Sequence, residues 1–423
     1  MSNLQTRIRE QLQKEREAAT LLLQEWVRHP SVQCEELSIQ ESIAKRLAAM
    51  GLEVDVWEMG GEELLKHPYF VSPRSVFQNS PNVVGVWRGV GGGRSIILNG
   101  HVDVVPAGDE AQWSHSPFSG EIVDGKLYGR GATDMKGGNL SSLLAIQVLQ
   151  ALNVRLKGDV IFQSVVEEES GGAGTLATIL RGYKADAALI PEPTNLKIFP
   201  KQQGSMWFRL TVKGRSAHGG TRYEGVSAIE KSMLVVQAIG RLEKERNQRM
   251  TDPLYEKLPI PIPINIGVIE GGKWPSSVAD LVKLEGRMGV APGEQMTDAK
   301  AEMAAALSRL SEEDPWFAEH PVELEWFGAQ WVPGSVALDH PLMEILQQQF
   351  VATTGEKAVV EASPWGTDGG LLTLLADTPA IVVGPGVTSV AHYPDEYIEL
   401  DDVFRCAEIF ALTLIEWCGI AEE

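Results

Sequence analysis

The chain has 423 residues, of which 43% are hydrophobic and 22% charged. These values are those of an ordinary globular protein and exclude disordered, collagen-like and fibrous classes. Lys and Arg number 37 against 57 Asp and Glu, a net charge of −20, so neither nucleic acid nor an anionic membrane is an expected partner.

At ~100–200 residues per domain the length allows two or three domains. The three cysteines, Cys34, Cys406 and Cys418, are widely spaced and form no CxxC pair. That argues against a disulfide framework or a thiolate zinc site and for a reducing compartment. The polar, charged N-terminus lacks an apolar signal segment, and no apolar run approaches the ~20 residues that span a bilayer. A cytoplasmic protein is expected.

Residues 4–28 carry helical spacing with few breakers. Short apolar runs then end in turns: Ser95–Leu98 before Asn99-Gly100-His101, Val160–Val166, Ala187–Ile190 and, much later, Ala380–Val383. The last two are apolar throughout, as in strands buried on both faces of a largely parallel sheet. Gly91-Gly92-Gly93 reads as a hairpin loop, and Met135–Leu152 as an apolar helix. Strand, helix and strand with intervening glycines predict an α/β domain whose central sheet is flanked by helices.

The middle of the chain differs. Met206, Phe208, Leu210 and Val212 alternate with Trp207, Arg209, Thr211 and Lys213, a half-exposed strand. Ile229, Met233, Val236 and Leu242 line one face of an expected helix. Ile262–Ile269 and Leu281–Val290 read as strands, Met296–Leu310 as a helix, and Val322, Leu324 and Trp326 as a last strand. The order β-α-β-β-α-β is that of a ferredoxin-like α+β unit. It is placed at 203–327, inserted into a discontinuous sheet domain at 1–202 and 328–423.

Residues suited to chemistry cluster after the sheet strands. In His101-Val102-Asp103 both polar side chains point the same way on a strand. His101 can ligate a metal, while Asp103 can accept its other ring N–H or orient a neighbour. Asp134 sits in Gly129–Gly138, where a glycine turn enters the apolar helix. It is either a helix N-cap or a carboxylate aimed at the sheet edge. Glu167, Glu168 and Glu169 follow a strand and repel one another without a cation. They form either a solvated acidic loop or a metal ligand beside a general base. Glu192 lies between Pro191 and Pro193 in a stiff loop, and His392 follows the last sheet strand.

Ligand sites in open α/β sheets gather beyond the carboxyl ends of strands. His101, Asp134, Glu169, Glu192 and His392 are five N/O donors with no thiolate. They suit two divalent ions, zinc first and cobalt or manganese next. A shared aspartate would hold such ions ~3.5–4 Å apart.

The motifs GHVDVVP, GRGATDMKGG, EEESGG, PEPT, GRSAH and AHYPDE stand in this order. In combination they resemble the co-catalytic zinc amidohydrolases and peptidases. That family includes acetylornithine deacetylase, succinyl-diaminopimelate desuccinylase, aminoacylase and bacterial glutamate carboxypeptidase. The resemblance runs from residue 15 to residue 418. It implies that His101, Asp134 and Glu192 hold one ion and that Asp134, Glu169 and His392 hold the other. It further implies Glu168 as general base and Asp103 as the residue that orients His101. His218 is implied to stabilise the oxyanion, reaching the partner subunit's site.

The implied fold is a catalytic domain with an inserted lid that forms a homodimer. The implied reaction is hydrolysis of a small N-acyl amide by hydroxide held between the metals. Arg287 matches an arginine that grips a substrate carboxylate in some relatives. Ser276 and Ala279 replace an asparagine and a proline common there, and Trp365 borders the leaving-group side. An acetylornithine-deacetylase-like deacylase is the leading expectation. A di- or exopeptidase, a succinyl-diaminopimelate desuccinylase and a formylaminopyrimidine deformylase are alternatives, and a non-catalytic binding protein is the remote one. The serine-hydrolase elbow and the phosphate-binding loop are both missing from the sequence.

Overall fold

A computed structural model describes residues 2–421. The chain divides into two compact units. One comprises Met1–Lys201, Gly334–Glu361 and Thr367–Glu423; the other comprises Gln202–Pro333 and Ala362–Gly366. The second unit thus ends later than the expected 327, because its last strand continues to Trp331, and it also takes in a short later segment.

The first unit is built on one large sheet. Its strands lie in the order Glu53–Glu58, Pro81–Trp87, Val160–Val165, Ile96–His101, Ala188–Ile190, Ala380–Val382, Ile198–Gln202 and Gly334–Ser335. The centre is parallel: His101 pairs Val165, Leu98 pairs Leu189, and Val382 pairs Ile190. Both flanks are antiparallel. The four central strands are buried along their whole length, which explains their unbroken apolar runs. Gly91–Gly93 does not close a hairpin. The strands on either side of it are not neighbours, because Val160–Val165 lies between them.

The helix Gly137–Ala151 is buried on nearly every face. It packs against the C-terminal helix Leu400–Cys418 and the opening helix Ser2–Arg28, so its sequence is apolar all round rather than striped. Among the described residues, no helix is long and apolar enough to cross a membrane.

The second unit is a four-stranded antiparallel sheet ordered Ile264–Gly271, Leu281–Val290, Gly204–Lys213, Glu323–Trp331. The helices Ala228–Gln248 and Met296–Ser308 complete the ferredoxin-like order. Ser227 caps the first of them, accepting from the Glu230 N–H at 3.3 Å, an S-x-x-E start. The four residues expected on one face of this helix divide in the structure. Ala228, Val235, Ile239 and Leu242 face the core, whereas Ile229, Met233 and Val236 are 44%, 61% and 42% exposed. Two apolar stripes share one helix, and only the stripe that includes Leu242 packs inward.

Candidate metal centre

The parallel register decides where the site forms. His101 is the last residue of its strand, and Glu168 and Glu169 follow the neighbouring strand at Val165. Glu192 comes two residues after Ile190. His392 lies on the loop that leaves Ala380–Val382 and returns at Tyr397–Glu399. All four therefore emerge at the carboxyl edge of one sheet.

Asp134 joins them from Ala132–Lys136, a turn just before the long helix. Its backbone is extended, with φ −123° and ψ 94°, and the helix begins only at Gly137. The N-cap alternative is thereby removed, and the carboxylate is free to point at the sheet edge.

Asp134 presents each oxygen to a different histidine. Oδ1 is 3.2 Å from His101 Nε2, and Oδ2 is 3.2 Å from His392 Nε2. Glu192 Oε1 stands 3.7 Å from His101 Nε2, and Glu169 Oε1 stands 3.1 Å from His392 Nε2. Glu168 Oε2 is 4.0 Å from His101 Nε2. Metal–ligand bonds of ~2.1 Å at tetrahedral angles place donor atoms about 3.4 Å apart, and two groups have ligand atoms close enough together to hold a metal ion, His101 with Asp134 and Glu169, and His101 with Glu168 and Glu192.

The electrostatics point the same way. His101 is buried, and its Nδ1 lies 2.8 Å from the Asp103 carbonyl oxygen. Donating Nδ1–H there leaves the Nε2 lone pair facing three carboxylates. That arrangement is repulsive unless a cation or an extra proton lies between. Burial would lower the His101 pKa, but the Asp134 hydrogen bond and the Glu192, Asp103 and Glu168 charges lift it well above its ordinary value. Burial lowers His392 too, yet Asp134 and Glu169 bring it up to about 11. Burial pushes Glu168 and Glu192 well above the carboxylate range and Asp103 up to about 8. Asp134 alone is held far below that range, because its two histidine partners outweigh burial. A pocket with this excess of buried anions fits divalent cations.

Of the two roles expected for Asp103, its carboxylate takes the second, that of orienting neighbours. Its backbone carbonyl takes the His101 ring N–H, while its carboxylate accepts the N–H groups of Glu168 at 3.3 Å and Glu169 at 3.1 Å. Glu167, the first of the three glutamates, faces away from the centre's chemistry. It accepts from Arg74 Nε at 2.5 Å, Ser72 Oγ at 2.7 Å and Ser170 Oγ at 2.6 Å.

Residues 97–416 match the sequence profile of Peptidase family M20/M25/M40. The chain belongs to that family. This M20 hydrolase is 32% identical over 401 residues to the N-formyl-4-amino-5-aminomethyl-2-methylpyrimidine deformylase of Halalkalibacterium halodurans, covering 90% of this chain and 89% of that one. It is 30% identical over 338 residues to an acetylornithine deacetylase of Salmonella heidelberg, covering 78% and 82%. Its fold matches a di-peptidase of Saccharomyces cerevisiae at a TM-score of 0.75 and 14% identity, covering 99% of each chain. It also matches an M20 family metallo-carboxypeptidase of Sulfolobus solfataricus at 0.74 and 16% identity, covering 94% and 98%. Family membership and the donor set agree on divalent-metal use.

The remaining candidates lie in the second unit. His218 is exposed, and its Nδ1 accepts from the Gly220 N–H at 3.1 Å. Exposed Ser276 accepts the Gly219 N–H at its carbonyl, at 2.6 Å. Trp365 is half-buried. Arg287 is half-buried as well, and burial lowers its pKa.

Several residues of the metal M20 site went unassigned in the sequence: Asn139, whose Nδ2 donates to the His101 carbonyl at 2.6 Å; Asp368, bonded to Thr175 Oγ1 at 2.7 Å; and the pair Arg130–Glu396. Arg130 and Glu396 lie inside the quoted motifs GRGATDMKGG and AHYPDE, and Asn139 directly follows the first.

Two glycines are required by close approach. A Cβ on Gly138 would lie 1.9 Å from the Pro191 carbonyl oxygen, and one on Gly384 would lie 2.3 Å from that of Glu192. Gly384→Ala is therefore expected to displace the Glu192 loop and weaken binding of one ion by roughly 10–100-fold. Calorimetric titration of metal-free protein with Zn²⁺ checks this, and unchanged affinities in both Gly384→Ala and Glu192→Gln would show that Glu192 is not a ligand.

Proposed function

We propose that this M20 hydrolase cleaves the linear amide of a small N-acylated amino acid or amine at a two-ion centre. His101, Asp134 and Glu192 would hold one ion, and Asp134, Glu169 and His392 the other. The observation that carries the reading is Asp134, whose two oxygens each face a different histidine at 3.2 Å. Bound divalent ions, zinc before cobalt or manganese, would supply Lewis acidity and lower the pKa of water.

The chain's own groups do the rest. Glu168 is buried beside His101, in surroundings that raise its pKa well above the carboxylate range. Such a carboxylate takes a proton from water and holds it near neutral pH, ready for the departing amine. Asp103 fixes the Glu168 and Glu169 backbone, and so the direction of both side chains. His218 is assigned to the oxyanion, acting in the partner's site. Arg287, desolvated and without an ion pair among the described residues, suits a substrate carboxylate through its bidentate fork. Ser276 and Trp365 are assigned to the substrate.

A second reading, deformylation of an aminomethyl-pyrimidine, is favoured by the longer match to the deformylase, which spans nine-tenths of this chain. The same centre serves both. A hydrolysis screen over N-formyl, N-acetyl and N-succinyl amides and dipeptides, with Zn²⁺ or Co²⁺ added, separates them. Turnover of a small N-acyl amine supports the proposal, and turnover of dipeptides alone sinks it. Glu168→Ala should retain both ions and lose ~10²–10⁴-fold in kcat; a near-native rate would remove Glu168 as the base.

We also propose a homodimer formed through the second unit. The exposed stripe Ile229, Met233 and Val236 lies on the helix packed over Ile264–Gly271, the open edge strand, where Val268 and Ile269 are exposed as well. An apolar stripe beside an unpaired strand edge suits a two-fold self-pairing. Free cysteines at 34, 406 and 418 accord with a cytoplasmic location. Met233→Asp should shift the sedimenting species from dimer to monomer; a wild-type monomer at micromolar concentration would refute the interface.

A further inference from the structure

Behind the candidate ligands lies a buried ion pair that the mechanism above does not use. Arg130 and Glu396 are 2% and 0% exposed. Arg130 Nη1 donates to Glu396 Oε2 at 2.5 Å. The other oxygen, Glu396 Oε1, accepts the backbone N–H of Thr133 at 3.0 Å and of Asp134 at 3.1 Å. The other guanidinium nitrogen, Arg130 Nη2, donates to the backbone carbonyl of His392 at 3.2 Å. One buried pair thus grips the main chain of the shared aspartate with its acid and the main chain of a histidine with its base.

The fold explains how residues so distant in sequence meet. A small antiparallel sheet pairs Tyr397 with Tyr128 and Glu399 with Lys126. That register places Glu396 against Gly129, whose N–H donates to the Glu396 carbonyl at 2.8 Å. His392 needs such a hold. Its φ is +66°, a left-handed conformation that non-glycine residues seldom adopt unless neighbours impose it. Its side chain is half exposed, unlike that of His101, so packing alone does little to orient it.

We propose that Arg130 and Glu396 are positioning residues that set the geometry of Asp134 and His392, and that they chiefly govern the affinity of the ion on the His392 and Glu169 side. The inference rests on the two-ion reading. His101 is held by other means, through the Asp103 carbonyl, the Asn139 amide and its place at the end of a central strand. The His101 and Glu192 side therefore survives loss of the pair better than the His392 side does.

The test titrates full-length, chelator-stripped protein with Co²⁺, read by calorimetry and by visible absorption of the bound ion. Glu396→Gln keeps an acceptor for the two N–H groups but loses the charge that anchors Arg130. Arg130→Lys keeps the charge but lacks the planar fork that reaches Glu396 and His392 from two nitrogens. Wild type should take two ions. Each variant should take one with wild-type affinity and the other ~10–100-fold more weakly, whatever the loss in melting temperature that breaking a buried pair brings.

His392→Ala should weaken the same ion, and adding Glu396→Gln to it should cost little more, because both act on one site. The proposal is overturned if both variants bind two ions with wild-type affinity. It is equally overturned if both ions weaken to the same extent, the signature of a general structural role. Failure of the wild type itself to take up Co²⁺ would end the two-ion reading and this inference with it.

Discussion

Five carboxylates and two imidazoles converge on a small space at the carboxyl edge of the large sheet, and most of them are cut off from water. Anions so placed either take up protons or surround cations. The arrangement carries that choice: burial drives Glu168, Glu192 and Asp103 upward in pKa, while two histidine partners hold Asp134 down. The metal-dependent amide-hydrolysis reading rests on this unbalanced charge having a purpose. A merely structural cluster would be expected to pair its acids with Arg or Lys, as Glu167 does with Arg74.

The surrounding architecture is arranged to hold that cluster still. Parallel pairing brings the strand ends into register, so consecutive crossovers deliver donors to one edge. Glycine at 138 and 384 lets the Pro191–Glu192 backbone approach to distances that no side chain permits. The Asp103 carboxylate fixes the acidic loop by its N–H groups. Arg130 and Glu396, fully buried and spanning more than 260 residues of sequence, tie the turn that carries Asp134 to the loop that carries His392. A buried ion pair is weak evidence for stability in itself; here its hydrogen bonds to the ligand backbone give it a positional role.

Much of this was legible in the sequence. Apolar runs ending in polar residues announced the central strands within three residues at each end, and the change to alternation announced the second unit. Four of the candidate ligands were legible because they follow such a run, and Asp134 because it stands in a glycine turn before an apolar helix. What misled was local. The helix Ala228–Gln248 carries two apolar stripes, and periodicity cannot say which of them meets a core and which faces outward. Gly91–Gly93 looked like a hairpin because sequence neighbours often pair, yet Val160–Val165 lies between its flanking strands.

The sequence by itself determined the chemistry on offer: N/O donors without thiolates, motif order, fold class and family resemblance. These follow from residue type and short-range spacing, which need no folding to be read. Only the tertiary structure decided that Asp134 divides its oxygens between His101 and His392, that the Asp103 carbonyl rather than its carboxylate fixes the imidazole, and that Glu396 stands behind Asp134. Such facts depend on distances between segments up to hundreds of residues apart, set by strand register and close packing, to which local patterns of charge and hydrophobicity are blind.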